Sequence, residues 1–364
     1  MKLAMINTVN LEDNGITTFI IDNSILLAQH HISVTIVAPN RVSDTLRKKL
    51  NNNNNIDIFE IPYRSKRTWK YFNTLRKYLK NESFDVVHVN GNSTTMSIEL
   101  LAAFFAGVKG RIAHSHNTTT DHPKINQALR PIFEILVNGR IACNNAAGKW
   151  LFKNQNFEVI KNGIFLRNYT FSYKKRNDIR KMLHLKENDI LLGHIGRFND
   201  QKNQKYFFKI IPFLPQNYHL ILVGQGMNFE KIKQEVRKRG LINRIFFTGA
   251  INNTSDYLSA MDLFLLPSIY EGQPFTLVES TASGLYNVVS SRVSMENNVA
   301  DNMISISLDN PTKWKDRIEQ YNFSNMRSRR QDTSNNFIEV LKDHGYDVET
   351  NAQKLIDIYS KICK

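Results

Sequence analysis

The sequence predicts an α/β protein built from two doubly wound, parallel-sheet domains, and three observations lead there. The chain has 364 residues, which at roughly 150 residues per domain gives about two domains. Short β-branched runs bounded by turn residues alternate with longer segments of helical period, the mark of βαβ units. The runs fall into two groups, each large enough for its own sheet, with a charged stretch lacking strand pattern between them.

In the first group the strands are read at Lys2–Val9, Ile32–Ala38, Ile56–Ile61, Asp85–Val89, Arg111–Ser115, Gly139–Cys143 and Phe157–Ile160. In the second they are read at Ile190–Ile195, His219–Val223, Arg244–Phe247, Leu263–Leu266, Asn287–Ser290 and Ile304–Leu308. Between them Asn168–Lys186 (NYTFSYKKRNDIRKMLHLK) follows the turn dipeptide Asn162-Gly163. The boundary is placed there, giving a first domain over 1–168 and a second over 169–346. In 347–364, Val348, Ala352, Leu355, Ile356 and Tyr359 recur at helical spacing, so a closing helix must bury that stripe. Asn51–Asn55 reads as a solvent loop.

Composition narrows the function. Hydrophobic residues at 41% and charged residues at 22% give enough apolar side chains for a core. Lys and Arg number 48 against 33 acids, a formal +15, which points to partners that carry phosphate. Two cysteines, Cys143 and Cys363, exclude a disulfide scaffold and a cysteine zinc site and fit a reducing compartment, so a cytoplasmic location is expected. The N-terminal MKLAMINTVNLEDNG lacks the apolar core of a signal peptide. The longest apolar stretch, Leu100–Val108, is far short of the roughly 20 residues that span a bilayer, so any membrane contact is peripheral. The basic residues are scattered and no nucleic-acid-binding motif is visible, so nucleic acid is not expected as a partner.

Open parallel sheets hold ligands beyond the carboxyl ends of their strands, where loops and helix N-termini gather. At such ends stand Asn14-Gly15, His88 to Gly91, His114 to Asn117, Gly196-Arg197, Gly224-Gln225-Gly226 and Glu271. Arg197 and Lys202, across a strand-to-helix turn, are the best pair of cations for a diphosphate: one offers a planar fork, the other a point charge. In Pro267–Glu279 (PSIYEGQPFTLVE), Pro274 suits a first helical turn, so Phe275, Thr276 and Leu277 would offer unpaired N–H groups to an anion. Glu279 lies about five residues into that helix, so Glu271 and Glu279 would meet different hydroxyl-bearing parts of one ligand. His114 and His116 share a face of an extended strand. His116 is favoured over His114 for the ligand because it stands nearer the strand end, and His88 reads as structural.

The run from Glu271 to Glu279, Glu with seven residues between and then Glu, after DLFLLPS, resembles the signature of the family 4 retaining glycosyltransferases. GRFNDQKN, LILVGQG and IKNGI match the same family in order and spacing, and RIAHSHN is similar to its bacterial exopolysaccharide and capsule members. The resemblance runs over almost the whole chain. It implies the GT-B architecture: two doubly wound Rossmann-like domains facing a cleft, an acceptor-side first domain, a second domain that binds the nucleotide sugar, and a C-terminal helix that crosses back onto the first.

Carried onto this chain, the resemblance gives Arg197 and Lys202 to the diphosphate, Glu271 to the donor sugar hydroxyls and Glu279 to the ribose. Backbone groups around Gly272, Gln273, Pro274, Phe275 and Thr276 reach the sugar and phosphate. Gly224 and the Thr248–Asn252 loop flank the base beside Gly196, Asn14 and Gly15 reach the phosphates, and His116 meets the sugar near its reacting carbon. The implied reaction is transfer of a hexose, with retention, from a nucleotide sugar, most plausibly a UDP-sugar, to a lipid-linked or growing polysaccharide acceptor. The sequence has no Asp-x-Asp triplet, and activity without a divalent metal or other cofactor is expected. Rival readings are another nucleotide-sugar enzyme of this fold, such as an epimerase, and a non-enzymatic module that binds anionic surfaces.

Two departures from the family pattern stand out: Asn14-Gly15 replaces a Gly-Gly pair, and SRVSMENNVADN after Ser290 lacks a Gly-rich acidic stretch. The basic segment Arg64–Lys80 places Phe72, Leu75 and Leu79 on one helical face. Such a helix either lies on anionic lipid or packs its stripe on the sheet.

Overall fold

The computed structural model of the chain describes residues 1–364 apart from Asp13, Asn51, Asn52, Tyr63, Asp121, Gly272 and Lys364. Every strand read from the sequence is present. The first sheet comprises β1 (Lys2–Asn7), β2 (Ser33–Ala38), β3 (Ile56–Glu60), β4 (Val86–Gly91), β5 (Gly110–Ser115), β6 (Gly139–Ala142) and β7 (Glu158–Val159), in the order β3-β2-β1-β4-β5-β6-β7. The second comprises β8 (Ile190–Ile195), β9 (Tyr218–Val223), β10 (Ile245–Gly249), β11 (Leu263–Leu266), β12 (Asn287–Ser290) and β13 (Met303–Ile306), in the order β10-β9-β8-β11-β12-β13. All pairings are parallel. Strand order therefore reverses between β1 and β4 in one sheet and between β8 and β11 in the other, the switch points at which such sheets bind ligands.

The chain divides into two units, Met1–Gly163 with Asp347–Lys364, and Ile164–Tyr346. The boundary thus follows Gly163 and not residue 168, because Ile164 and Leu166 are already buried among Val278, Ala282 and Leu341 of the second unit. In each unit, strand alternation feeds two cores. Along β1, Leu3 and Met5 join Phe19, Leu355 and Tyr359 beneath the helices Gly15–Gln29 and Val348–Cys363. Ala4 and Ile6 face the opposite layer with Leu75, Leu100 and Phe133. Along β8, Leu191 joins Leu258 and Leu277, whereas Leu192 joins Phe207 and Trp314.

The charged stretch after the boundary forms the helix Tyr173–Met182, and two of its charges, Arg176 and Arg180, are buried and structural. Arg176, Arg180 and Arg327 approach Asp262 at 2.7, 3.2 and 2.9 Å. Burial would raise that carboxyl, but the three guanidiniums hold it down at about 2. Asp262 also accepts from the Leu191 N–H, so it fixes the start of β11 to β8. Among the described residues no helix is long and apolar enough to cross a membrane.

Candidate active site

In the second unit the loops after β8, β9 and β11 are tied together by backbone. The Phe198 N–H donates to the Gln225 carbonyl at 2.9 Å, and the Asn228 N–H to the Phe198 carbonyl. Gly224 has φ +134°, and a Cβ there would lie 2.2 Å from the Gly196 carbonyl oxygen, so only glycine lets these turns pack. The Ile269 N–H donates to the Gln201 carbonyl, and Gln201 Nε2 to the Tyr270 carbonyl. The segments 196–202 and 267–271 therefore form one surface.

On that surface Lys202 Nζ lies 2.7 Å from Glu271 Oε1, with both side chains largely buried. The contact lies off the angle of a hydrogen bond, so this oxygen keeps an unused acceptor site. The lysine is aimed by local chemistry. Its N–H donates to Asn199 Oδ1, and its stem crosses Gly196, whose absent side chain leaves room for it. Beneath it sits His194, buried and pushed down to about 3, first by burial and further by the Lys202 charge. His194 Nδ1 donates to the Leu265 carbonyl, which leaves Nε2 to accept from Gln204, whose amide also holds the Arg197 carbonyl. The Arg197 side chain is exposed and makes no ion pair among the described residues.

The helix Phe275–Ala282 starts after Pro274. Phe275 and Thr276 offer N–H groups with no acceptor among the described residues. Leu277 does not: its N–H donates to the Pro274 carbonyl at 3.1 Å, closing a tight first turn, which corrects the sequence expectation. Glu279 accepts from the Tyr169 hydroxyl at 3.1 Å, so the two glutamates have separate surroundings. Gln273 Nε2 reaches the Tyr346 hydroxyl at 3.4 Å. Gly272 lies outside the described residues. Residues 291–302, the stretch that departs from the family pattern, include residues that brace this loop. Val293 pairs with Glu271, and Asn297 donates to the Pro274 carbonyl.

In the first unit Asn14 is the N-cap of its helix, its side chain accepting from the Thr17 N–H at 3.0 Å. The residue that replaces a glycine of the family pattern thus stabilises the helix start. Gly15 opens the helix and is exposed. His88 on β4, His114 on β5 and His116 just beyond it form a ladder. The first two rings lie 5.3 Å apart, His114 and His116 stack at 4.1 Å, and Phe19 meets all three edge-on. Burial brings His88 and His116 down to about 3 and His114 well below its usual range. His114 is fully buried, whereas His116 keeps some exposure. His88 Nδ1 meets the Tyr359 hydroxyl at 2.7 Å, which binds the final helix to the ladder.

The segment Arg64–Lys80 enters the helix Thr68–Glu82, with Tyr71, Leu75 and Leu79 buried and Phe72 only partly so. Arg64 precedes the helix and is not available to a surface, because it pairs with buried Glu99 at 2.6 Å. Sequence reasoning missed His194, Gln204, Asn199 and Asn90. Asn199 lies inside GRFNDQKN and Asn90 inside the strand end His88 to Gly91, but neither was given a role there, and His194 and Gln204 stand just outside that motif on either side.

Known proteins place this geometry. The model described as glycosyl transferases group 1 matches residues 175–339, and that described as Glycosyltransferase Family 4 matches residues 13–167. The glycosyltransferase EpsF of Bacillus subtilis (strain 168) is 28% identical over 301 residues, covering 77% of this chain and 76% of that protein. The capsular polysaccharide biosynthesis glycosyltransferase CapH of Staphylococcus aureus is 29% identical over 307 residues, 78% of this chain and 79% of that one. An Escherichia coli UDP-Gal:alpha-D-GlcNAc-diphosphoundecaprenol alpha-1,3-galactosyltransferase is 27% identical over 234 residues, 60% of each chain. Among solved structures, Anabaena HepE in complex with UDP superposes with a TM-score of 0.81 at 17% identity, covering 99% of this chain and 100% of that one. Two matched models, one on each sheet, and a GT-B fold throughout place the chain in family 4 of the glycosyltransferases, to which it belongs.

Proposed function

We propose that the chain is a retaining hexosyltransferase that moves a sugar from a UDP-sugar to a lipid-linked or growing polysaccharide acceptor, without a divalent metal. The observation that carries this reading is the contact of Lys202 with Glu271 at 2.7 Å beside the N–H groups of Phe275 and Thr276. Cleaving a sugar from a nucleoside diphosphate leaves negative charge on the phosphate and positive charge on the sugar. A fixed cation next to helix amides stabilises the first, and a carboxylate orients the hydroxyls of the second. Arg197, at the rim, adds a second cation. Glu279 serves the ribose, Gly196 and Gly224 let the nucleotide approach the backbone, and Asn14, Gly15 and His116 are the contributions of the first unit. HepE is solved with UDP and with UDP-glucose, and the Escherichia coli relative is named for a UDP-sugar donor and a diphosphoundecaprenol acceptor.

The acceptor side meets lipid at the inner face of the cell membrane through aromatic rings. Trp69 stacks on Phe72 at 5.5 Å, Phe72 meets Phe105 at 6.5 Å and Phe105 meets Phe104 at 5.6 Å. Trp69 is 75% exposed, and Lys66, Lys70, Lys77 and Lys80 are exposed on the same segment. Aromatic rings rimmed by cations suit an anionic interface. Flotation with phosphatidylglycerol vesicles, lost in the Trp69→Ala/Phe105→Ala variant and absent with neutral vesicles, is the expected result. Equal flotation of both proteins would remove this part of the proposal.

For the chemistry, a ligand-observed NMR screen of nucleotide sugars followed by a slow donor-hydrolysis assay is decisive. Binding of a UDP-sugar and loss of hydrolysis in Glu271→Ala are expected. If no activated sugar binds at millimolar levels, the donor assignment fails.

A further inference from the structure

We infer that Asn90 is a positioning residue that fixes His116 in a single tautomer, protonated at Nε2, so that Nδ1 is presented as a hydrogen-bond acceptor to a sugar hydroxyl. This rests on the reading above that His116 meets the sugar, and adds how the imidazole is prepared for it.

Asn90 is fully buried at the end of β4. Its backbone carbonyl accepts from both the N–H and the hydroxyl of Thr8, at 3.0 and 2.8 Å. Its side-chain Nδ2 lies 3.4 Å from the Ile6 carbonyl and 3.5 Å from the His88 carbonyl, with Met5 Sδ at 3.2 Å. Turning the amide over would set Oδ1 against two carbonyl oxygens and an acceptor sulfur, so Oδ1 has to be the atom that faces His116. It lies 2.9 Å from His116 Nε2. A carbonyl oxygen only accepts, so Nε2 carries the proton.

The other nitrogen follows. His116 stacks on His114 at 4.1 Å, meets Phe19 edge-on at 5.2 Å and makes no ion pair among the described residues, Asp22 being the buried acid one turn beyond Phe19, and burial disfavours the charged ring. The ring is therefore neutral, and with Nε2 protonated its Nδ1 bears a lone pair. That atom is buried and has no partner among the described residues. The His116 N–H donates to the Gly91 carbonyl at 3.2 Å, so the backbone beyond β5 that carries the ring is tied to the residue next to Asn90 at the end of β4. A buried acceptor without a donor is costly, and a ligand hydroxyl is the donor that satisfies it. An anionic phosphate oxygen would be repelled by the same lone pair. The site therefore selects a neutral hydroxyl-bearing group.

The test combines nitrogen spectroscopy and a pH profile on the full chain. With 15N-labelled histidine, long-range proton–nitrogen spectra should show His116 with Nε2 protonated and Nδ1 bare, and Nδ1 should shift on adding UDP-glucose but not UDP. A protonated Nδ1 in the free chain overturns the inference, as does an unmoved Nδ1 when calorimetry shows UDP-glucose bound. If UDP-glucose does not bind at all, the failure is that of the donor assignment, and the tautomer then decides the inference by itself.

Asn90→Asp supplies the independent arm. An introduced carboxyl shares one proton with the imidazole, and either arrangement of that proton blocks Nδ1 as an acceptor. Removing it restores the acceptor. The Asn90→Asp rate should approach that of the wild type at high pH and fall about tenfold per pH unit below the apparent pKa of the pair. The wild-type rate should show no such step down to about pH 5, given that His116 is held near 3. A loss of equal size at every pH is what a merely structural asparagine would give, and would overturn the proposal.

Discussion

At the carboxyl end of the second sheet Lys202 and Glu271 face each other as an ion pair, on side chains held by Asn199, Gln201 and a glycine turn. At the carboxyl end of the first sheet three imidazoles are stacked and held neutral by burial, ordered by a hydrogen bond between His88 and His114 and by partners from Tyr359 and Asn90. In the function proposed above, the difference matches the two kinds of chemical group a glycosyl transfer has to manage. A departing diphosphate needs fixed charge and amide dipoles, which work best when already oriented. A sugar hydroxyl is neutral and is read by a hydrogen-bond acceptor whose protonation does not drift. One fold thus supplies both from the same place on its sheets, the strand ends at the order switch.

The sharpest way to break this comparison is to remove the charge from the charged end. Lys202→Ala should lower turnover by about 10² to 10³-fold, as loss of one preorganised donor to a developing anion does, with a smaller effect on acceptor KM. Steady-state kinetics with the preferred UDP-sugar measures it, and a change below threefold would dismiss Lys202 from the phosphate. Next in size is Gly224→Ala. Its Cβ would have to occupy space 2.2 Å from the Gly196 carbonyl at a φ that alanine resists, so a loss of roughly 2 to 4 kcal/mol is expected, read as a fall in Tm. Arg197→Ala should cost less than Lys202→Ala, because the arginine is exposed and makes no ion pair among the described residues. Glu279→Ala should weaken UDP binding about tenfold in calorimetry while leaving kcat nearly unchanged, since the role proposed for it is on the ribose and not at the bond that breaks. Equal losses in kcat for both glutamates would erase the division of labour between them.

The two ends were not equally legible. The strands announced themselves through short apolar runs such as SVTIVA and LFLL, because buried parallel strands need apolar side chains on both faces. The placement of the charged end was legible as well, since Gly196, Lys202, Glu271 and Glu279 lie close in sequence to the turns that position them. What escaped were partners brought in from afar. Asn90 reaches His116 across 26 positions, His88 reaches Tyr359 across 271, and Asp262 gathers arginines from both sides of its own strand. The N-cap role of Asn14 was legible in principle, because Asn followed by Gly at a helix start is a capping pattern. Reading that position against a Gly-Gly expectation drew attention to the missing glycine instead of the gained cap.

The smallest expected effect tests whether neutrality at the first sheet's end is real, and it appears in stability more than in rate. His88 and His116 titrate at about 3 when folded but near 6.5 in an unfolded chain. Below pH 6.5 the unfolded state therefore takes up protons that the folded state refuses. The stability from each histidine is complete above about 6.5 and is lost as pH falls from there toward 3, at up to about 1.4 kcal/mol per pH unit per group. His114 adds to this in the same direction. In the second unit His194 behaves alike and His219 is lowered less, while the depressed Asp262 carboxyl does not titrate until far lower pH. From pH 7 to 5 the first sheet should consequently lose protection more steeply than the second. Hydrogen exchange of peptides from β4 and β5 against β8 and β11, corrected for intrinsic rates, reads the difference directly. His116→Gln should flatten the slope of the first sheet by one histidine's share and leave the second unchanged. Identical slopes in the two sheets would mean that the imidazole ladder accepts protons in the folded chain, and the neutral acceptor at His116 would have to be abandoned.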